Sequence, residues 1–188
     1  MTRRLFDASI ALACVTLLTL ALTAPVHADD KLARGKYLVT VAGCNDCHTP
    51  WKVGAQGPEP DMSRMLSGHP EGMALPAAPK PVGPWLVSAA ATNTAWSGPW
   101  GVSYTANLTP DRDTGLGKWT LRNFVETIRT GRHMGRGRPI LPPMPIPMYK
   151  HFTDADLEAI FTYLQSIPPI RNRVPDPLPP EEVQASAR

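Results

Sequence analysis

The sequence predicts an all-α domain of three main helices, interrupted by one long loop insertion rich in Pro and Gly. Apolar residues recur at helical spacing over residues 31–44, 120–131 and 153–166, which predicts amphipathic helices. Residues 49–107, between the first and second helices, have no helical period and contain many helix breakers. With 22 Pro and 14 Gly among its 188 residues, the chain has room for few further helices.

The first 28 residues are typical of a cleaved export signal. A positive start at Arg3 and Arg4 is followed by an apolar run over residues 8–22 and by small residues just before position 29. A membrane-spanning helix needs about 20 apolar residues, so this run is short for an anchor. We therefore expect export, with cleavage after Ala28.

The first helix is predicted over residues 31–44, with Asp29 or Asp30 as the N-cap that accepts free backbone N–H groups. Gly35 and Tyr37 indicate a place where a second helix crosses closely, because glycine lets two backbones approach. An ordinary helical glycine fits the same residues. The predicted apolar face carries Leu32, Leu38 and Val41.

A cysteine motif ends this helix. Residues 44–48 read Cys-Asn-Asp-Cys-His, the C-x-x-C-H pattern of covalent c-type haem attachment. The thiols of Cys44 and Cys47 are spaced to add to the two vinyl groups of one porphyrin, and His48 is then placed under the iron. A structural zinc site needs further Cys or His ligands at metal spacing, which the sequence does not offer. A redox dithiol or a disulfide does not account for His48.

One haem at the centre of the core explains how so loop-rich a chain folds. We expect a single covalent haem in one domain over residues 29–170, followed by a Pro-rich C-terminal tail over residues 171–188 that lies extended on the surface. The haem motif and the export signal both indicate the bacterial periplasm. A net charge of +3 does not indicate nucleic-acid binding.

The insertion over residues 49–107 is longer than ordinary loops in compact domains. We expect it to wrap the haem edge, because its large aromatic side chains need burial. A short strand is predicted over residues 102–106, and His69 is expected at the surface of the loop. The tryptophans of the insertion are Trp51, Trp85, Trp96 and Trp100.

Residues 109–115 are typical of a turn. Their D-x-D-x-G letters resemble a calcium loop, but Leu116 replaces the required glycine and Arg122 replaces the required glutamate. A second helix is predicted between its cap at Thr120 and its end at Gly131.

The third helix is predicted from its cap at Thr153 to Ser166, with Pro168 as a stop. Both later helices carry apolar residues on one side. These residues are Leu121, Phe124, Val125, Ile128, Leu157, Ile160, Phe161 and Leu164.

A haem iron with a proximal histidine has a sixth coordination position, whose occupant decides between electron transfer and reaction chemistry. Met144 is our candidate, because Pro142, Pro143 and Pro145 hold a rigid extended loop around it. An iron saturated by His and Met changes oxidation state without changing ligands, as an electron carrier requires. The alternative ligands are Met148, Met134, His133 and His151.

A basic segment precedes the methionine loop. It can steer an acidic redox partner toward the haem edge or pair with a haem propionate, and the alternative is an ordinary solvated loop. The basic segment comprises Arg129, Arg132, His133, Arg136 and Arg138. Candidate wall residues of the haem site are Trp51, Pro58 and Trp119.

Over residues 31–170 the chain resembles a class I cytochrome c, most weakly over residues 52–95. The haem motif, the proline-framed methionine and the final helix carry this resemblance. Residues 107–111 (Asn-Leu-Thr-Pro-Asp) and 115–120 (Gly-Leu-Gly-Lys-Trp-Thr) are similar to the single-haem domains in cytochrome subunits of bacterial alcohol and gluconate dehydrogenases. Unlike the multi-haem subunits, this chain has one C-x-x-C-H motif, and it has no clear C-terminal anchor helix.

The resemblance implies a cytochrome c fold in which Cys44 and Cys47 bind the haem vinyls. It also implies that His48 is the proximal and Met144 the distal ligand of the iron. The protein is then an electron carrier rather than an enzyme, with a dehydrogenase as donor and an oxidase or another cytochrome as acceptor. Membrane association is expected only through such partners. The alternatives are a haem enzyme or small-ligand sensor with a labile sixth site, and a fixed electron-transfer subunit of a dehydrogenase complex.

Overall fold

The computed structural model describes residues 28–78, 83–180 and 182. The predicted export signal, apart from its last residue, lies outside the described residues, as does most of the tail beyond position 180. Described residues from Lys31 onward belong to one folded unit. None of the helices described is long and apolar enough to cross a membrane.

The prediction of an all-α fold is wrong, because the described residues combine helices with two antiparallel sheets. The α-helices are α1 (Ala28–Val41), α2 (Cys44–His48), α3 (Leu121–Thr130), α4 (Ile146–Tyr149) and α5 (Asp154–Ser166). The strands are β1 (Trp51–Gly54), β2 (Gly57–Pro60), β3 (Ser88–Ala89), β4 (Ala95–Gly98) and β5 (Gly101–Tyr104). The two sheets have the orders β1-β2 and β3-β4-β5, so the fold is mixed α and β.

Helices α1, α3 and α5 correspond to the three predicted helices, and their apolar faces form the core. The first was predicted to end at Cys44, but α1 ends at Val41 and the cysteine motif lies on the separate α2. The crossing of α1 and α5 is close at Gly35, where an added Cβ would lie 2.0 Å from the carbonyl oxygen of Ala159. This confirms the predicted close approach, whereas Tyr37 is 56% exposed and takes no part in it. The buried core residues of the three helices include Leu38, Val39, Phe124, Ile128, Leu157, Ile160 and Leu164.

The apolar face of α1 differs from the prediction at three positions. Val39 is buried beside Leu38, while Leu32 and Val41 lie toward solvent. Two ion pairs hold the rim of the crossing, Lys31 with Glu158 and Arg34 with Asp156. These ion pairs therefore join α1 to α5 at the solvent-exposed border of their apolar contact.

The ends of α3 and α5 follow the predicted caps. The hydroxyl of Thr120 accepts from the backbone N–H of Asn123, whose side chain accepts the N–H of Thr120 in return. Gly131 ends α3 with a φ of 66°, which a residue without a Cβ adopts freely. Thr153 caps α5 by accepting the N–H of Asp156.

The insertion over residues 49–107 contains the strands of both sheets. Its many Pro and Gly residues, which usually interrupt regular structure, are the reason that these strands were not predicted. Strands β1 and β2 are joined by two residues, with Gly54 opposite Gly57. Pro58 and Pro60 fit in β2 because, in the part of the chain that the structure describes, its outer edge pairs with no strand. Strands β4 and β5 form a second two-residue hairpin with Gly98 opposite Gly101. The strand predicted over residues 102–106 is therefore confirmed in part by β5.

The expected burial of the insertion's tryptophans holds only in part. Trp85 is 77% exposed, while Trp51, Trp96 and Trp100 are half-buried. Three of the four indole rings are thus partly covered by the folded insertion, and none is fully buried.

The tail packs onto the insertion. Asn172 is 2% exposed, and its amide donates to the carbonyl oxygens of Ser67 and His69 at 2.7 and 2.8 Å. Further along, Leu178 forms an antiparallel bridge with Val102. The described part of the tail therefore fixes the free edge of β5.

Candidate functional site

The sequence-predicted site residues meet at one cavity of about 370 Å³. Cys44, Cys47 and His48 line it from α2, and Met144 lines it from the loop before α4. A cavity of this size, apolar with a few convergent polar groups, is typical of a cofactor site. Its apolar walls include Leu116, Trp119, Phe124, Ile128, Leu157 and Leu164.

His48 is oriented by a single hydrogen bond. Its Nδ1 lies 2.7 Å from the carbonyl oxygen of Ala106, and since a carbonyl only accepts, Nδ1 carries the proton and donates. Nε2 is then the unprotonated nitrogen, free to bind a metal. Burial lowers the pKa of His48, against the opposing effect of the bond to Ala106, so the ring is neutral.

The two cysteines are free thiols in the structure. Burial raises the pKa of Cys44 to about 12 and also raises the pKa of Cys47. A redox dithiol depends on a lowered thiol pKa, so this environment does not favour that interpretation. Thiols held two residues apart on one short helix, facing an apolar cavity, suit thioether formation instead.

The helix that carries the motif is fixed on both sides. The carbonyl oxygen of Asp46 accepts hydrogen bonds from the indole of Trp51 at 3.0 Å and from the amide of Asn93 at 2.7 Å. On the cavity side the hydroxyl of Tyr149 donates to the carbonyl of Ala42. Burial raises the pKa of Tyr149 to about 12, so the hydroxyl keeps its proton.

The structure distinguishes among the candidates for the sixth position. Met144 is half-buried, packs against the core and lines the cavity. Met148 is 72% exposed and lies outside the cavity lining. Met134 and His151 also lie outside that lining, whereas His133 is part of it.

His133 packs its ring edge-on against Trp119, with the ring centroids 5.1 Å apart. Burial and the charge of Arg138 lower the pKa of His133. Trp119 is thus a wall residue as predicted, but Pro58 and Trp51 are not part of the lining.

The basic segment divides into residues at the cavity and residues away from it. Arg138 and His133 line the cavity, and Arg173 of the tail joins them. Arg129 is instead paired with Asp154 at 2.6 Å, and Arg132 donates to the carbonyl of Gly137 at 3.0 Å. Arg138 and Arg173 therefore bring positive charge to the lining, which also contains the carboxylates of Asp113 and Asp176.

The surroundings of the cavity fit a haem. His48 offers one ring nitrogen, the thiols of Cys44 and Cys47 lie beside it, and the apolar walls suit a porphyrin face. The hydroxyl of Thr105 is buried in the lining without a hydrogen-bond partner in the structure. Because an orphaned buried donor is costly, a carboxylate such as a haem propionate would satisfy it.

The interpretations that involve other metals receive no support from the described residues. Within residues 28–78 and 83–180, no group of three or more His, Cys, Asp or Glu side chains is placed to hold a metal ion. In the calcium-like turn, the carboxylate of Asp111 accepts from the backbone N–H groups of Asp113 and Thr114. That carboxylate therefore shapes its own turn, as the sequence predicts.

His69 corrects another expectation. It was expected at the surface of a loop, but its side chain is 0% exposed. Its Nδ1 lies 2.9 Å from the hydroxyl of Thr94, and its ring lies 4.8 Å from that of Tyr104. The burial of His69 could not be predicted from the sequence, because the residues that contact its ring, Thr94 and Tyr104, are distant in the chain.

The sequence also missed several residues that build the site. The partner of His48 is the backbone carbonyl of Ala106, and no side-chain pattern reports a backbone acceptor 58 positions away. Tyr149 was overlooked because it stands outside the predicted helices. The contributions of Thr105 and Arg173 depend on long-range packing of the insertion and the tail.

Comparison with known proteins gives a consistent result. The chain is 26% identical over 157 residues to the cytochrome c subunit of the quinone-type alcohol dehydrogenase of Gluconobacter oxydans, which is 80% of this chain and 26% of the relative. It is 28% identical over 135 residues to the fructose dehydrogenase cytochrome subunit of Gluconobacter japonicus, covering 72% and 21%. It is 28% identical over 147 residues to the gluconate 2-dehydrogenase cytochrome c subunit of Pantoea cypripedii, covering 78% and 25%.

No protein-family model matches the chain. The chain spans about a quarter of the length of these three relatives. Their names are those of cytochrome subunits, so the similarity supports a cytochrome c domain and confirms the resemblance stated from the motifs. It is consistent with an electron-transfer subunit rather than a catalytic one.

Proposed function

We propose that this protein is a periplasmic monohaem c-type cytochrome that transfers single electrons between redox partners. Cys44 and Cys47 would hold the haem covalently, and His48 and Met144 would be the two protein ligands of its iron. The observation that carries the proposal is that these four side chains line one largely apolar cavity. The similarity to cytochrome subunits supports electron transfer in general, while the single haem, the ligand pair and the compartment are our inference.

Each cysteine has a defined role in attachment. The sulfur and the proton of a thiol add across one vinyl group, which forms a thioether and releases nothing. Because Cys44 and Cys47 lie on the short α2, their sulfurs are held close to His48, which follows directly in the chain. Attachment therefore also delivers the proximal imidazole.

The bound haem supplies a one-electron iron couple, and the residues of this chain set the conditions for it. His48 donates to the carbonyl of Ala106, which keeps Nε2 unprotonated and the ring in one orientation. Met144, which lines the same cavity, would supply the second protein ligand of the iron and leave no site for a small ligand or peroxide. The apolar walls exclude water, and a thioether ligand with a low dielectric raises the reduction potential.

Partners follow from the resemblance and from the names of the relatives. We propose a dehydrogenase as the electron donor and an oxidase or another cytochrome as the acceptor. The second candidate function is that of a fixed electron-transfer subunit of a dehydrogenase complex, favoured by the similarity to cytochrome subunits of such enzymes. Copurification of a larger dehydrogenase with the tagged protein would favour the fixed subunit, and a protein that purifies alone would favour the free carrier.

The experiment that tests the proposal is an optical spectrum of the purified holoprotein, first oxidised, then reduced, then reduced under carbon monoxide. We expect a low-spin spectrum, a weak far-red sulfur-to-iron band in the oxidised state, and no change with carbon monoxide. A high-spin spectrum or ready binding of carbon monoxide would show an open sixth site. The function would then be that of a haem enzyme or a small-ligand sensor.

A further inference from the structure

The loop that carries Met144 has few ways to hold itself in place. Pro142, Pro143 and Pro145 lack a backbone N–H, so the segment cannot donate hydrogen bonds at those positions. Its local bonds begin only at its C-terminal end, where the N–H of Ile146 donates to the carbonyl of Met144 at 2.9 Å. A fixed position for this loop therefore requires an anchor from elsewhere in the chain.

Ser103 supplies such an anchor. Its hydroxyl lies 2.6 Å from the carbonyl oxygen of Pro142 and donates to it. Ser103 is 7% exposed, so water competes poorly for this bond. Within residues 28–78 and 83–180, this is the one hydrogen bond that joins residues 141–145 to a distant part of the chain.

The strand that presents Ser103 is held on both sides. Strand β5 pairs with β4, which places Ser103 opposite Trp96. On the other side Val102 exchanges two backbone hydrogen bonds with Leu178, at 2.8 and 2.9 Å. The indole N–H of Trp100 lies 3.3 Å from the hydroxyl of Ser103 and donates to it. The hydroxyl has one proton to donate, and the carbonyl oxygen of Pro142 at 2.6 Å is a much closer acceptor than that of Trp96 at 3.4 Å.

We propose that Ser103 is a positioning residue that holds the Met144 loop against the cavity, so that the β4–β5 hairpin keeps the sixth position closed. This inference rests on the proposed function, which assigns Met144 as the distal ligand. Ser103 itself lines the cavity, but its proposed role is to position the loop and not to bind the iron. It acts by stabilising the loop conformation in which the thioether faces the cavity, and its loss shifts the loop toward conformations that leave the sixth position open.

The test is a titration of the oxidised holoprotein with imidazole, which binds the iron only when the methionine has left. Ser103→Ala removes one buried hydrogen bond, and we expect the apparent imidazole affinity to rise about five- to tenfold. The far-red sulfur-to-iron band should weaken in the same variant. Ser103→Thr keeps the hydroxyl and should restore both values.

Ser97 provides a matched control, because it lies on the adjacent strand β4 opposite Val102 and makes no side-chain hydrogen bond among the described residues. Ser97→Ala should leave the imidazole affinity at the wild-type value. An unchanged affinity in Ser103→Ala, with the band intact in the wild type, would overturn the role of Ser103 and leave the proposed function standing. A wild-type spectrum that lacks the band would overturn the His48 and Met144 ligation itself. If Ser103→Ala yields no holoprotein, the titration is made on Ser103→Cys, whose thiol is similar in size but a weak hydrogen-bond donor. The imidazole affinity of this variant is also expected to rise.

Discussion

Gly35 of α1 faces the backbone of Ala159 in α5 so closely that a Cβ on Gly35 would lie 2.0 Å from the carbonyl oxygen of Ala159. No such contact is tolerated in a folded protein, so one of the two helices must move if a side chain is added. The same two helices bury Leu38 and Leu157, which belong to the core next to the cavity. The crossing at Gly35 therefore sets how tightly α1, and with it the haem motif, is held.

Gly35→Ala is expected to destabilise the protein despite the better helix propensity of alanine, which is worth about 1 kcal/mol. Forcing the methyl group against a backbone carbonyl costs more than that gain, and we expect a net loss of about 2 kcal/mol in the free energy of unfolding. Chemical denaturation followed by circular dichroism measures the change. Lys36→Ala, at an exposed position one residue further along, is the control and should cost little. Equal stability of the two variants would show that the helices separate without penalty.

The ion pair between Arg34 and Asp156 at the same crossing predicts a pH dependence of stability. Burial alone would raise the pKa of Asp156, but hydrogen bonds from Arg34 and Thr153 outweigh it and hold that pKa below its ordinary value. A carboxyl with a lowered pKa in the folded state stabilises the protein above its unfolded pKa of about 3.9. This contribution is lost as the pH falls through the folded pKa.

Asp156→Asn should therefore lower the free energy of unfolding at neutral pH by about 0.5–1 kcal/mol, as for other partly exposed pairs. The difference from the wild type should shrink as the pH drops below about 4. Denaturation curves at pH 7 and at pH 3 measure both values. A difference that stays constant over this range would mean that Asp156 stabilises the protein through its hydrogen bond with the cap residue Thr153 and not through its charge.

The two cysteines predict a pattern of haem retention under denaturing conditions. Cys44→Ala and Cys47→Ala should each keep the haem through the remaining thioether, and the double variant should release it. Mass spectrometry of the denatured proteins distinguishes these cases, and the wild type should carry the mass of a single haem. Covalent haem in the double variant, or the mass of two haems in the wild type, would contradict the assignment.

Met144 and Met148 form a natural pair for testing the distal ligand. Met144→Ala should abolish the far-red band and open the reduced iron to carbon monoxide, because its side chain lines the cavity. Met148→Ala should change neither property, since that side chain is 72% exposed and lies outside the lining. The reverse pattern would assign the iron to Met148 and require a rearranged loop.

The parts of the fold that depend on local chemistry could be predicted from the sequence. The caps at Thr120 and Thr153 and the end of α3 at Gly131 are set by residues within one turn of each other. The haem motif is likewise contiguous. Contacts between distant segments could not be predicted in this way, because Asn172 reaches Ser67 through the folded insertion, 105 positions away.

The all-α prediction failed for a different, local reason. Pro and Gly end helices, and in this insertion they were interpreted as marks of irregular structure. Gly54 and Gly57 instead form the closing pair of a two-residue hairpin, and Pro58 stands in β2, whose outer edge pairs with no strand among the described residues. Pairs of Gly residues three positions apart therefore indicate β-hairpins, which a search for helical periodicity does not detect.

The exposed arginines of the basic segment lead to the last prediction. Arg138 is exposed and lines the cavity where it meets solvent, and Arg136 is exposed two residues earlier in the chain. If the haem edge is reached from the side of Arg138, an anionic reagent should be attracted and a cationic reagent repelled. Reversing both charges, as Arg136→Glu with Arg138→Glu, should slow oxidation of the reduced protein by ferricyanide about three- to tenfold at low salt.

The same variant should react faster with a cationic oxidant such as a cobalt phenanthroline complex, because the sign of the local field has changed. Both effects should fade as the ionic strength rises toward 1 M, where the screening length is about 3 Å. Reversal of Lys36 and Lys52, which lie outside the cavity lining, controls for the change in net charge. If the control pair alters the rates as much as the arginine pair does, electrons do not enter from the side of Arg138, and the basic segment is an ordinary solvated surface.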